Sequence, residues 1–219
     1  MRPLLLWMLL VCVIFPGPAR SADWAIDPVH SRVAVSVDHA GFSRSLAVMS
    51  VQEGQLVWDP AAPEAAQVDV ILDLRRLDFG DPRWNQAVQG RQMLDVARHP
   101  TARFVSHRVT TQADGTLSID GDLHFRGTRT AVNLTAQRNA QRRHPMPPFR
   151  QTVGFSATGT LSREALGVGT WAGMVGDAVA LQIEIEATLS TRRPHAGNMP
   201  PTDGTTGSDD LDGAGSAHR

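Results

Sequence analysis

The chain is poor in the residues that support thiol chemistry. Its 219 residues include one cysteine, Cys12, which lies in an apolar stretch near the amino terminus. The chain beyond that stretch therefore has no thiol, which excludes disulfides, thiolate metal sites and a cysteine nucleophile there. Its stability must come from packing.

The chain also has few aromatic residues and no cluster of basic residues, and both features limit the partners that it can bind. Tyrosine is absent and aromatic residues make up 5% of the chain, so aromatic contacts to a polar ligand group fall to its five tryptophans. The formal net charge is -1, and the basic residues are scattered along the sequence. A nucleic-acid partner is therefore not expected, because phosphate binding needs a clustered basic excess.

Common catalytic motifs are also missing. The sequence has no G-x-S-x-G nucleophile elbow, no H-E-x-x-H zinc helix and no phosphate-binding glycine loop. Gly167 and Gly169 form a glycine pair that turn geometry explains. The sequence thus indicates neither a catalytic residue nor a metal, and no cofactor.

The amino terminus has the order of residues typical of a secretory signal. Arg2 precedes an apolar stretch over residues 4–15, which a Pro-Gly-Pro break and the small residues Ala19 and Ser21 follow. We predict a signal peptide over residues 1–21 with cleavage near Ser21, since Ala19 then stands third before the cut. An uncleaved anchor is the alternative.

Alternation of apolar and polar residues predicts roughly eight half-buried strands. They cover residues 32–38, 46–57, 67–74, 102–110, 117–125, 129–136, 152–161 and 177–189. Antiparallel strands in this number avoid exposed edges most simply by closing into a barrel, and such a barrel can hold one ligand. The predicted fold is an all-β, eight-stranded antiparallel barrel, with a two-sheet sandwich as the alternative.

One short helical segment is predicted between the strands at 67–74 and 102–110. Asp81 suits the N-cap and Pro82 the first helical position. The segment passes through Trp84, Val88 and Met93, breaks at Gly90, and is closed by Leu94, Val96 and Ala97. Pro100 then favours extended backbone at His99, which leads into the strand at 102–110.

Three blocks of residues, in this order, resemble a known family. The opening block is Asp27-Pro28-Val29-His30-Ser31 with Val33, Val35, Val37, His39 and Gly41. The central block is Met93-Leu94-Asp95, His99-Pro100, Phe104-Val105-Ser106, Gly121-Asp122-Leu123 and Arg126-Gly127. The closing block is Phe155-Ser156-Ala157, Leu161-Ser162-Arg163, Leu166-Gly167 and Met174-Val175-Gly176-Asp177. Together they resemble the YceI-like polyisoprenoid-binding family, although Leu166 replaces an expected aromatic residue.

The resemblance implies a lipocalin-like barrel over residues 22–191. The composition of residues 192–219, rich in Pro, Gly, Thr, Asp and Ser and nearly free of apolar residues, predicts a disordered tail. The resemblance also implies a periplasmic or secreted bacterial protein that carries a polyisoprenoid or an isoprenoid quinone and touches membranes transiently. Two alternatives stay open, an envelope enzyme acting on a hydrophobic molecule and a solid-cored stress-response module without a ligand. The oligomeric state also stays open, with a homodimer among the possibilities.

The predicted ligand-binding residues are mostly inward-facing aliphatics. They are Val33, Val35, Val37, His39, Val70, Leu72, Trp84, Val88, Met93, Leu123, Phe125, Val153, Phe155, Leu181 and Ile183. Trp84, Val88 and Met93 are candidates for a lid or rim. His39 either fixes a turn through a backbone hydrogen bond, contacts a ligand head group or binds a metal. Arg163 is expected to point outward in a surface ion pair with Glu164 or a neighbouring strand, and the alternative is a functional role near the cavity.

Overall fold

The computed structural model describes residues 22–190 and consists of nine strands, one α-helix and two 3-10 turns. The strands are β1 (Ala22–Ile26), β2 (Arg32–His39), β3 (Ser43–Trp58), β4 (Gln67–Asp73), β5 (Thr101–Thr111), β6 (Leu117–Phe125), β7 (Thr128–Arg143), β8 (Gln151–Ser162) and β9 (Val175–Leu189). The helix is α1 (Pro82–Gln89), and the 3-10 turns are Pro63–Ala65 and Leu74–Arg76.

Strands β2 to β9 close into an eight-stranded antiparallel barrel. Each strand pairs with the next along the chain, and β9 returns to pair with β2, so that Val35 lies opposite Leu181. β3 is long enough to pair with β2 through its first half and with β4 through its second half. The predicted barrel, with one short helix, is confirmed.

β1 is an extra strand that the sequence did not predict. It pairs with the second half of β3 and with the end of β9, and so continues the line of β2 across the barrel wall. Residues 27–31 interrupt that line, where Ser31 is buried and its hydroxyl exchanges hydrogen bonds with the Glu186 backbone. β1 was missed because five residues are too short for a clear alternation.

The helical segment breaks at Gly90, as predicted, but it does not resume beyond that residue. The Asp81 side chain caps α1 by accepting bonds from the amides of Arg83 and Trp84, as expected. The helix ends at Gln89, and the Gly90 carbonyl accepts from the amides of Met93 and Asp95 in consecutive turns. Met93, Leu94, Val96 and Ala97 therefore do not extend the helix; they cross one end of the barrel as turns.

Two predicted segments lie outside the described residues, the signal peptide over residues 1–21 and the tail over residues 192–219. The predicted loop at residues 144–148 is a turn between β7 and β8, in which the His144 amide donates to the Arg150 carbonyl over 2.8 Å. No helix within residues 22–190 has the length and apolar character needed to cross a membrane.

Close packing inside the barrel depends on Gly121 in β6. A Cβ at this position would lie 2.5 Å from the Phe104 ring and 2.6 Å from the Val105 carbonyl oxygen. We expect Gly121→Ala to lower the free energy of unfolding by about 2 kcal/mol, because the backbone cannot yield as a flexible side chain would. Urea denaturation measures the change.

Gly154→Ala in β8 is the matched control. A Cβ there would meet only the Ile185 carbonyl oxygen, at 3.8 Å, which is ordinary contact. We expect a change within about 0.5 kcal/mol. Equal losses for the two variants would contradict the packing argument.

Candidate functional site

The barrel interior holds one elongated apolar cavity of about 420 Å³. Its volume lies within the range of about 300–1,000 Å³ that is typical of small-molecule sites. Side chains of all nine strands, of the 74–100 segment and of the 163–174 loop, together with Ala66, form its wall, and all but three of them are apolar. The inward-facing aliphatic side chains therefore line a chamber and do not fill a solid core.

Fourteen of the fifteen residues predicted to contact a ligand line this cavity. They are Val33, Val35, Val37, His39, Val70, Leu72, Trp84, Val88, Met93, Leu123, Phe125, Phe155, Leu181 and Ile183. Val153 does not line it. Val153 is fully buried and pairs with Gln141 and Ala187, beyond the point where Trp58 closes the barrel.

Trp58 closes one end of the barrel. Its indole is 4% exposed, packs edge-on against the Phe155 ring at 5.0 Å, and donates to the Gln141 side chain over 3.0 Å. Trp24 on β1 supports it by donating to the Trp58 carbonyl oxygen over 3.3 Å. Leu56 and Phe155, which line the cavity beside it, are buried as well, so the indole closes this end of the cavity.

The opposite end is the mouth, where the exposed lining residues lie. Trp84 on α1 and Trp171 and Met174 in the 163–174 loop line the cavity and are also exposed to solvent. Phe42, in the turn between β2 and β3, is 92% exposed beside them, and the Ala40 amide in the same turn bonds the Met174 carbonyl. These four residues form an apolar rim around the mouth.

His39 lies inside this rim. Its ring packs against Trp84 at 5.3 Å, and Trp84 packs in turn against Phe79 at 6.1 Å. Among residues 22–190 the imidazole has no hydrogen-bond partner, so it does not fix a turn in the way that we considered. No metal-binding cluster of His, Cys, Asp or Glu occurs in the same range.

We expected Arg163 to form an ion pair on the surface, and this prediction is wrong. The residue is only 5% exposed and lines the cavity near its mouth. Nη1 donates to the carbonyl oxygens of Val175 (2.8 Å) and Gly176 (3.2 Å). Nη2 donates to those of Val168 (2.8 Å) and Thr170 (2.5 Å). β8 ends at Ser162, and strand alternation no longer sets side-chain direction beyond that residue.

Arg163 thereby holds the loop that forms one side of the mouth. The same loop is joined to the 90–100 segment by Thr170, whose hydroxyl donates to the Gln92 carbonyl over 2.7 Å, and Arg126 donates to the Met93 carbonyl over 2.6 Å. Burial lowers the pKa of Arg163, because desolvation penalises its charge. A guanidinium nevertheless stays protonated in a protein.

The other histidines within residues 22–190 do not line the cavity. His30 is exposed and contacts the Asp27 carboxylate at 2.8 Å, which raises the pKa of His30. His124 faces solvent, as predicted, and His107 is exposed with Asp122 at 3.9 Å.

Sequence reasoning missed several lining residues. Ser45 and Met49 on β3 alternate with exposed Leu46 and Val48. Ser45 precedes the predicted strand 46–57, and Met49 lies within it, where the irregular pattern did not indicate a facing. Trp171 and Met174 lie in a loop, where no periodic signal marks the direction of a side chain.

Comparisons with known proteins agree with this geometry. A UPF0312 protein of Ectopseudomonas mendocina is 29% identical over 181 residues, which cover 82% of this chain and 94% of that protein. The crystal structure of Burkholderia cenocepacia BcnA superposes with a TM-score of 0.65 at 22% identity, covering 74% of this chain and 99% of BcnA.

A polyisoprenoid binding domain from Saccharophagus degradans, implicated in plant cell wall breakdown, superposes with a TM-score of 0.52 at 10% identity, covering 78% of this chain and all of that domain. At such identities the two solved structures show the fold alone. The family match is direct, because the YceI-like domain matches residues 24–187, nearly the whole described barrel. The chain therefore belongs to the YceI-like domain family.

Proposed function

We propose that this protein is a periplasmic or secreted carrier of a polyisoprenoid or an isoprenoid quinone, whose prenyl chain it holds in the barrel cavity. The observation that carries the proposal is the continuous apolar wall, from the rim at Trp84 to the blind end at Trp58. A prenyl chain matches a long chamber that offers almost no hydrogen bonds. The Saccharophagus degradans domain, which is named for polyisoprenoid binding, supports this class of ligand.

The energetics of burial support binding without any catalytic group. Each methylene transferred from water to an apolar wall contributes about 0.8 kcal/mol, so one prenyl unit contributes about 3 kcal/mol. A few units would offset the entropy lost when the ligand is immobilised. Useful affinity therefore needs only a dry chamber of sufficient length.

Membership in the YceI-like family points to a binding protein rather than an enzyme. The interaction module with a solid core is disfavoured by the chamber itself. A carrier is defined by binding its ligand in a chamber without reacting with it.

Export and membrane contact belong to the same proposal. The residue order at 1–21 is typical of a secretory signal. The rim residues Phe42, Trp84, Trp171 and Met174 have the amphipathic and apolar character of side chains at a membrane interface. They surround the mouth through which a lipid must pass, so a bilayer is the partner that we propose for them.

We expect the protein purified from its native envelope to carry an isoprenoid lipid. Organic extraction followed by mass spectrometry identifies the lipid. The control is the same extraction of Ala157→Phe, in which a phenyl ring is added to the cavity wall. Recovery of one prenyl species in near-stoichiometric amount supports the proposal. An empty wild-type protein that also fails to take up a fluorescent isoprenoid analogue would contradict it.

A further inference from the structure

Three side chains of the cavity wall are polar, namely His39, Ser45 and Arg163. The terminal nitrogens of Arg163 already donate to four backbone carbonyl oxygens. A ligand that took up these donors would have to break the bonds that hold the mouth loop. The donors of Arg163 are therefore used within the protein, and His39 and Ser45 are the polar side chains of the wall that can bind a ligand.

Ser45 is the more unusual of the two. It is 8% exposed, faces inward on β3 opposite Val37, and lines the cavity. Within the part of the chain that the structure describes, its hydroxyl has no hydrogen-bond partner. No buried side-chain polar atom of the described residues lacks a partner, so this oxygen is not sealed inside the wall but is reachable from the cavity. Its unused donor and acceptor face the cavity.

His39 lies next to Ser45 on the same inner face. In the β2–β3 pairing His39 is opposite Ser43, and Val37 is opposite Ser45, which makes His39 and Ser45 diagonal neighbours. Side chains in this relation are within reach of one long side chain or a small bridging group. The imidazole supplies one donor and one acceptor when neutral, and Trp84 packs against its ring.

We propose that His39 and Ser45 form a head-group subsite that binds a neutral, oxygen-bearing group, an alcohol or a carbonyl, at the mouth end of a lipid whose chain fills the chamber below. This inference rests on the proposed function and adds the chemistry of the head group to it. The subsite prefers a neutral oxygen over a phosphate because the one permanent cation of the wall, Arg163, is already bonded to backbone carbonyls. A phosphate there would lose its water without gaining a matching cation.

The test compares three ligands with one chain: geranylgeraniol, geranylgeranyl phosphate and the corresponding hydrocarbon. Each competes with a fluorescent isoprenoid analogue. We expect the wild-type protein to bind the alcohol about tenfold more tightly than the hydrocarbon, which is the scale of one or two net hydrogen bonds, and more tightly than the phosphate. Ser45→Ala and His39→Phe should each reduce this preference to about threefold, and the double variant should abolish it, with hydrocarbon affinity unchanged.

Ser50→Ala is the matched control, since Ser50 lies on the same strand but has the outward parity of exposed Val48 and does not line the cavity. It should retain the full preference for the alcohol. Tighter binding of the phosphate, or an unchanged preference in Ser45→Ala and His39→Phe, would overturn the head-group subsite while leaving prenyl binding intact. Failure of all three ligands to compete would overturn the subsite and the proposed function together.

Discussion

Replacing Ala157 with Phe is expected to weaken the binding of a prenyl probe about a hundredfold, since the new ring excludes about one prenyl unit worth about 3 kcal/mol. Ala157 lies in the middle of β8, opposite Ala136 and Ile183, and its methyl group lines the cavity. A phenyl ring at this point projects into open space between the mouth and the blind end. Titration with a fluorescent isoprenoid analogue measures the effect.

The stability of this variant should change little. A large side chain added to a packed core forces strain, but here it occupies a chamber, so we expect the free energy of unfolding to stay within about 1.5 kcal/mol of wild type. Urea denaturation would show that lost binding is not caused by unfolding.

Ala131→Phe is the matched control. Ala131 lies on β7 and is exposed on the outer face of the barrel. This variant receives the same ring but should bind the probe with wild-type affinity. If Ala157→Phe also bound like wild type, the chamber would not be the binding site.

Replacing Arg163 with Ala is expected to lower the free energy of unfolding by about 3–4 kcal/mol, because four hydrogen bonds of about 1 kcal/mol each disappear along with the packing of the side chain. The four backbone carbonyls belong to the two stretches that form one side of the mouth, 168–170 and 175–176. Arg163→Lys should lose about 2 kcal/mol, since an ammonium group keeps the charge but not the planar fork of donors.

Arg143→Ala gives the comparison for the loss of an arginine as such. Arg143 is exposed at the end of β7, and its substitution should change stability by no more than about 0.5 kcal/mol. Urea denaturation of the three variants gives the ranking. A loss for Arg163→Ala as small as that for Arg143→Ala would show that the buried guanidinium does not hold the mouth loop.

Most of the fold could be predicted from the sequence, because apolar and polar residues alternate regularly along most strands. In β9, Val179, Leu181, Ile183 and Ile185 alternate with polar residues, and all four line the cavity. Such a strand can be read in isolation, since each side chain has only two faces to choose from. The closed barrel then follows from the number of strands and the cost of free edges.

Prediction failed where the chain leaves its periodic elements. The direction of Arg163 depends on a turn that follows β8, and the turns after Gly90 depend on bonds that its carbonyl accepts from residues further along the chain. Neither is visible in a local pattern of residue types. Val153 kept the expected inward parity but lies beyond the Trp58 closure, a depth that alternation does not encode.

The chamber itself could not be predicted, because an inward-facing valine looks the same in a filled core and in a hollow one. The difference depends on how many large side chains meet in the middle of the barrel. Here small or short residues such as Ala136, Ala157, Val35 and Val70 face the axis. Their volumes, summed around a closed ring of strands, leave the space that a ligand needs.

The blind end at Trp58 makes the barrel a gauge of ligand length. An elongated molecule that enters tip first stops at this indole, so a short chain leaves empty space below it and a long chain leaves its last units outside. Those outer units would rest on Phe42, Trp171 and Met174 instead of water. Affinity should therefore rise with each added prenyl unit until the chamber is full and then level off, and the chain length at that plateau would report the depth of the barrel.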